Sequence, residues 1–309
     1  MDEMNGKIPV NNSTSVSANK KNYAKALNFI GGLIAILSII FVALRLNSYL
    51  TSESLSFFNL KHVLIVLILV VLYGLGSLLL GCAWKNILAM SGSEKKLKWA
   101  VSTYGLAQIG KYIPGNIFHL AGRQALGLKD GVSGVALAKS TVWELGLLAI
   151  SGAVFLIIAA PAYFNLPEIA TVLSLPVFLV TTVVFYYFLS VFFNELLGKA
   201  FIQQVIFLTL SGFIFYFLIC IVSEQGFLDF SKMHSLFFVP AAFVTAWLIG
   251  LVTPGAPAGM GIREVVLIYL LGGLYDKDII ILTVLISRIV TVLGDVFFYA
   301  ISFYIRRIN

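Results

Sequence analysis

Apolar residues gather along this chain into long runs, and the runs predict its elements. A helix needs about 20 apolar residues to cross roughly 30 Å of hydrocarbon. Six runs qualify, at about 27–46, 60–84, 138–160, 169–193, 201–222 and 279–304, and each predicts a transmembrane helix. Residues 1–24 are polar and rich in Asn and Ser. They read as a disordered cytoplasmic tail, without the short apolar region and cleavage site of a signal peptide. Residues 25–309 then form a single membrane domain, with no soluble domain expected after the last span.

Two further apolar stretches break the pattern. Trp99 to Tyr112 would be about 21 Å long as a helix, and it runs into Pro114-Gly115. Phe237 to Val252 would be about 24 Å long, and it runs into Pro254-Gly255-Ala256-Pro257. A second short piece follows each break, at about 116–128 and 262–274. All four pieces are short for a crossing. Backbone broken at membrane depth is tolerated only where it is buried in protein or lines a watery cavity. The expected fold is therefore an all-α membrane protein with about six transmembrane helices plus two re-entrant helical hairpins, their broken tips inside.

The two breaks resemble each other. PGNIFHLAGR begins at Pro114 and PGAPAGMGIR at Pro254, each with an arginine nine residues after the proline, Arg123 and Arg263. Three crossings per half is an odd number, which predicts an inverted repeat of about 25–160 and 169–305, a design used by secondary transporters and some flippases.

Composition narrows the function classes. The chain is 60% hydrophobic and only 11% charged, with a mean hydropathy of +0.98, whereas soluble domains carry about 25% charged residues. A soluble enzyme, a disordered scaffold and a nucleic-acid-binding domain are excluded. Cys82 and Cys220 lie inside apolar runs and build neither a disulfide framework nor a metal cluster. The net charge of +7 is placed by topology. With the N-terminus inside and each hairpin making no net crossing, twelve basic residues fall in inside loops against four outside, Arg45, Lys61, Lys232 and Lys277. That obeys the positive-inside rule and puts both termini in the cytoplasm.

Ionisable residues inside apolar segments are costly and usually face a polar cavity or a partner. Lys111, Arg123, Lys139, Glu144, Arg263, Glu264, Arg288 and Asp295 are of this kind. Arg288, Thr291, Asp295 and Ser302 fall on one stripe of a helix. Arg288 and Asp295 lie about 10.5 Å apart along that helix, too far for a direct pair, so they flank a ligand or pair with other helices. Lys139 and Glu144 do not share a face and are expected to have different partners, with Lys139 snorkelling to the interface as one reading. Glu144 and Asp295 either balance the arginines in structural ion pairs or serve a cavity. Arg123 and Arg263, beside tips that expose unpaired N–H groups and the positive end of a helix dipole, are the better candidates to contact an anion. Asn116 and Gln108 are placed to satisfy freed backbone groups, and His119 reads as packing or ligand. Ala149-Xaa-Xaa-Xaa-Ala153 and Ser77-Xaa-Xaa-Xaa-Gly81 predict close helix contacts. No Walker A loop, HExxH, acidic metal motif or nucleophile–base pair is present, so no catalytic residue, metal or cofactor is expected and the chain is not read as an enzyme.

Gly110-Lys111-Tyr112-Ile113-Pro114-Gly115-Asn116-Ile117-Phe118-His119, with Gly122-Arg123, resembles the first signature of the lysylphosphatidylglycerol synthase transmembrane-region family. Thr253 through Glu264, TPGAPAGMGIRE, resembles its second, and Arg288 with Gly294-Asp295 also fits. The similarity covers about 25–305. The family includes the flippase half of the bacterial multiple peptide resistance factor and free-standing proteins of lipid-linked sugar and polysaccharide pathways. The resemblance implies a lipid flippase of the bacterial inner membrane, without the cytosolic aminoacyl-transferase domain of the bifunctional members. The expected substrate is an anionic lipid head group, on an aminoacylated phospholipid or a polyprenyl-phosphate-linked sugar. Expected binding residues are Lys111, Asn116, His119, Arg123, Glu144, Arg263, Glu264, Arg288 and Asp295. Pro114, Gly115, Gly122, Pro254, Gly255, Pro257, Gly259 and Gly261 would shape the hairpins. The alternative is a non-transporting membrane partner of a glycosyltransferase or similar biosynthetic enzyme; a small-solute transporter and an intramembrane transferase are further rivals. A nucleic-acid partner is not expected.

Overall fold

The computed structural model describes residues 59–113, 117–164, 166–224, 233–253 and 261–308. The expected tail at 1–24, the span at 27–46, and Pro114, Gly115, Asn116, Pro254, Gly255, Pro257 and Gly259 lie outside the described residues.

The polar links cap the apolar runs and so set where helices begin. Asn59 accepts a hydrogen bond from the His62 N–H at 2.9 Å and opens α1, Leu60–Met90. After a short link come α2, Leu97–Gln108, its 3₁₀ continuation Ile109–Tyr112, and α3, Phe118–Lys129. The Ser133 hydroxyl accepts from the Ala136 N–H at 3.1 Å and opens α4, Gly134–Val154, followed closely by α5, Leu156–Tyr163. Then come α6, Glu168–Phe192, and α7, Glu195–Val222, which is capped by Asn194. The last elements are α8, Met233–Val252, α9, Ile262–Leu271, and α10, Lys277–Ile308. The described residues are helices and their links, and six stretches are long and apolar enough to cross a membrane: α1, Gly134–Pro161, α6, α7, Ser235–Val252 and α10. This is an all-α, multi-pass membrane protein.

Five of those six stretches correspond to predicted spans; the sixth does not. The arm expected at Phe237–Val252 begins at Met233, and α8 with its 20 residues is about 30 Å long. The expectation that this piece is too short for a span is corrected. Helix propagates through the polar His234 and Ser235 to Met233, beyond the apolar edge that set the expected start. Similarly, α7 begins six residues before the predicted span, because the turn Glu195–Lys199 is held by an i,i+4 pair at 2.8 Å.

Helices α1, α7 and α10 pack on one another, and α2 fills the groove between α1 and α10. Helix α6 leans on α5 and α7 and leaves an apolar face exposed, with Val172, Val180, Val184 and Val191 outward. Small residues bring α1 and α10 close. A Cβ at Gly74 would lie 2.8 Å from the Gly294 carbonyl oxygen and 2.6 Å from the Phe297 ring. Gly74→Ala is therefore expected to push α10 away and lower stability by about 1–3 kcal/mol, the usual cost of overpacking. The midpoint of thermal unfolding of purified protein in detergent checks this. The expected Ser77–Gly81 contact is present, since Gly81 lies against the Val101 backbone of α2. The expected Ala149–Ala153 contact is not. Ala153 faces outward, and Gly152, one position earlier, meets Leu248 and Trp247 of α8.

Helix pairs stand where the two hairpins were expected, the second formed by the long α8 and the short α9. Gly110 sits against the backbone of Phe118 and His119, and Gly122 against Ala107, so α3 folds back antiparallel along α2. With 12 residues α3 is about 18 Å long, too short to cross. Helix α9 packs on α8 and is shorter still, about 15 Å for its 10 residues.

Candidate functional site

Helix α10 is the ruler against which both tips are measured. Near its C-terminal end, Arg306 donates to Thr103 at 2.9 Å and to Asp130 at 2.6 Å, and Ser302 lies against Val101 and Gly105. The Trp99 indole donates to the same Asp130 oxygen at 2.6 Å, and the Lys95 ammonium to the Asp130 carbonyl. These contacts fasten the base of the first hairpin to one end of α10. From there α2 runs toward the middle of α10, where Lys111 and Tyr112 meet Asp295. Helix α9 reaches α10 from the opposite end, and Glu264 near its start meets Arg288. Arg288 and Asp295 are seven residues apart, about 10.5 Å along the axis. The ends of both hairpins therefore converge on the same two turns of α10.

Five ionisable groups gather there. Asp295 is fully buried; its Oδ2 accepts from the Lys111 ammonium at 2.6 Å and from the Tyr112 hydroxyl. Arg288 donates to Glu264 Oε1 at 3.1 Å. Arg263 makes no ion pair among the described residues, and its Nε is buried without a hydrogen-bond partner. It lies in electrostatic range of Arg288, Tyr73, Glu264 and Tyr112. Three cations thus face two carboxylates. The second oxygens, Asp295 Oδ1 and Glu264 Oε2, are also buried and unpartnered among the described residues. Buried polar groups normally find partners, and these three atoms have none among the described residues. Gly261 caps α9 with φ of +83°, a conformation that suits glycine, and offers no side-chain cap. The positive end of α9 therefore faces the same region.

Arg123 lies elsewhere. It donates to Glu144 Oε1 at 2.7 Å, with its guanidinium 4.3 Å from the Tyr104 ring centre and 5.6 Å from that of Trp84. The Tyr104 hydroxyl donates to the same carboxylate oxygen at 2.9 Å. Both charged side chains are buried, and the pair fastens α3 to α4 beside α2. The two arginines at matching motif positions thus have different surroundings: Arg123 is ion-paired inside protein, and Arg263 has no ion pair among the described residues. Glu144 pairs with an arginine, one of the two readings open for it, whereas Asp295 pairs with a lysine rather than an arginine. Arg288 and Asp295 each pair with another element, one of the two arrangements their spacing left open. Lys139 is exposed and separate from Glu144. His119, in the first turn of α3, has Nδ1 buried and unpartnered among the described residues, in electrostatic range of Arg123 and Lys111. Gly122 packs on Ala107 and Gly261 starts α9.

Several contributors were not singled out from the sequence. Tyr73 of α1 lies over Gly294, beside Lys111 and Asp295. Tyr104 and Trp84 lie beside Arg123, and Asp130 with Arg306 anchors the hairpin base. Tyr112 stood in the first motif without a role. An aromatic residue inside an apolar run carries no mark of its own, so only the charged Asp130 and Arg306 offered a signal.

The chain is thus a multi-pass helical membrane protein with a charged centre where two short helical arms approach α10. No family model matches the chain, and no curated relative matches it.

Proposed function

We propose that this protein is a lipid flippase or scramblase that carries an anionic head group through the bacterial inner membrane while the acyl or isoprenoid chains stay in lipid. The observation that carries the reading is Arg263. A guanidinium whose Nε is buried without a partner among the described residues, beside Arg288 and the uncapped start of α9, is a receptor for a planar or tetrahedral oxyanion. Lys111 and Arg288 add positive charge on either side. The second oxygens of Glu264 and Asp295 accept hydrogen bonds from hydroxyl or ammonium donors on the head group. Sugar phosphates and phospholipid head groups carry both kinds of atom, and the motif resemblance points the same way. Helices α3 and α9 are too short to cross a bilayer by themselves.

Reconstitution tests the reading. Vesicles containing the purified protein and a trace of head-group-labelled phosphatidylglycerol are treated with a membrane-impermeant reductant that bleaches label in the outer leaflet. The expected result is bleaching well beyond the half seen in protein-free vesicles, because inner-leaflet label is brought out. Bleaching that stops at half, from protein that instead co-purifies with a glycosyltransferase, replaces transport with the partner role.

A further inference from the structure

The two tips are held on α10 by ion pairs of opposite polarity. The first tip supplies a cation, Lys111, to a carboxylate of α10, Asp295, at 2.6 Å. The second supplies a carboxylate, Glu264, to a cation of α10, Arg288, at 3.1 Å. In each pair only one carboxylate oxygen is used; Asp295 Oδ1 and Glu264 Oε2 are unpartnered among the described residues. A carboxylate held through one oxygen lacks the bidentate geometry that makes such pairs strong. What each carboxylate offers its cation is a charged oxygen, which is also what a phosphate offers.

Resting on the transport reading above, we infer that Asp295 and Glu264 are internal stand-ins for the transported anion, and that head-group binding unlatches both tips by exchanging with them. The incoming phosphate takes Lys111 and Arg288 together with Arg263. Lys111 thereby leaves Asp295, which keeps the Tyr112 hydroxyl, and Arg288 leaves Glu264. Water admitted with the head group hydrates the freed oxygens. Each tip then loses the ion pair that holds it to α10: the 3₁₀ turn Ile109–Tyr112, left with the single Tyr112 hydrogen bond to Asp295, and the first turn of α9 loosen around the bound phosphate, while the Arg123–Glu144 pair keeps α3 on α4. The arrangement makes release conditional on ligand: the empty protein keeps its tips latched and its centre closed to ions. It also explains why the two latches lie two turns apart on one face of one helix, a distance a single head group bridges.

The test uses the full chain in maltoside micelles, with dihexanoyl-phosphatidylglycerol, inorganic phosphate and a phosphate-free alkyl glucoside as probes. Binding is read by titration, and tip release by hydrogen exchange of backbone amides at 105–113 and 262–271. In the parent, the short-chain lipid should speed exchange at both tips, the glucoside should not, and inorganic phosphate reports whether the lipid portion is required. Asp295→Asn and Glu264→Gln remove the competing charge while keeping shape. Each should show fast tip exchange before lipid is added. A latch closed nine-tenths of the time divides apparent affinity by about ten, so half-saturation should fall about tenfold in each variant. Should Asp295→Asn fail to fold, Glu264→Gln, whose side chain is 30% exposed, carries the test alone. If the parent binds the lipid but the variants bind it no more tightly and keep protected tips, the exchange is overturned while the transport reading stands. If the parent binds no lipid, both are overturned.

Discussion

Arg123→Ala is expected to cost about 3–5 kcal/mol, the usual consequence of removing one partner from a buried ion pair. Glu144, as buried as Arg123, would be left with only the Tyr104 hydroxyl on Oε1 and nothing on Oε2. The loss of the guanidinium from beside Tyr104 and Trp84 adds about 0.5–2 kcal/mol of cation–π attraction. Together these shift the unfolding midpoint down by roughly 6–15 °C for a protein of this size. The measurement is a thermal melt of purified variants in detergent. A second variant separates charge from packing: Arg123→Met with Glu144→Gln removes the uncompensated carboxylate along with the arginine and should recover most of the loss. A single variant that melts within 2 °C of the parent would mean that the pair carries no structural weight and that Arg123 is free for another use.

That outcome bears on what the sequence disclosed. Spans were legible because the hydrocarbon sets a minimum length for an apolar run, and the runs of α1, α4 with α5, α6, α7 and α10 are where the helices form. Ends were less legible. Hydrogen bonding continues helix into polar residues, as at Glu195–Lys199 before α7 and at His234 and Ser235 in α8. Candidate charges were legible for a physical reason, since a charge in an apolar segment is too costly to be idle. Their partners were not. Spacing along one helix places Arg288 and Asp295 on one face, but which residue of another helix meets that face depends on packing. Lys111 reaches Asp295 only because α2 runs back along α10 from its far end. The matched motifs placed Arg123 and Arg263 in equivalent positions; Glu144 on α4 occupies the first arginine, and no described residue does so for the second.

Arg263→Ala should have the opposite thermodynamic signature and the larger functional one. No described residue ion-pairs with this guanidinium, and Arg288 repels it more than Glu264 attracts it, so its removal relieves a charge that the described residues do not balance. An uncompensated charge taken out of water is destabilising, and Arg263→Ala is expected to melt at the parent's temperature or slightly above. Transport should fall. A bidentate guanidinium–phosphate contact comprises two charge-assisted hydrogen bonds, each worth about 1.5–3 kcal/mol. Losing about 3 kcal/mol from the bound head group at the midpoint of its passage slows the step by more than a hundredfold. Arg263→Lys keeps the charge but not the planar fork and should lie between, closer to the alanine variant if geometry dominates. Leaflet-exchange rates in vesicles, set beside detergent melts of the same preparations, decide the matter. Arg123→Ala loses stability, whereas Arg263→Ala loses transport with stability intact. An Arg263→Ala protein that moves lipid at the parent's rate would leave the open guanidinium without a ligand, and the centre would have to be read as structural.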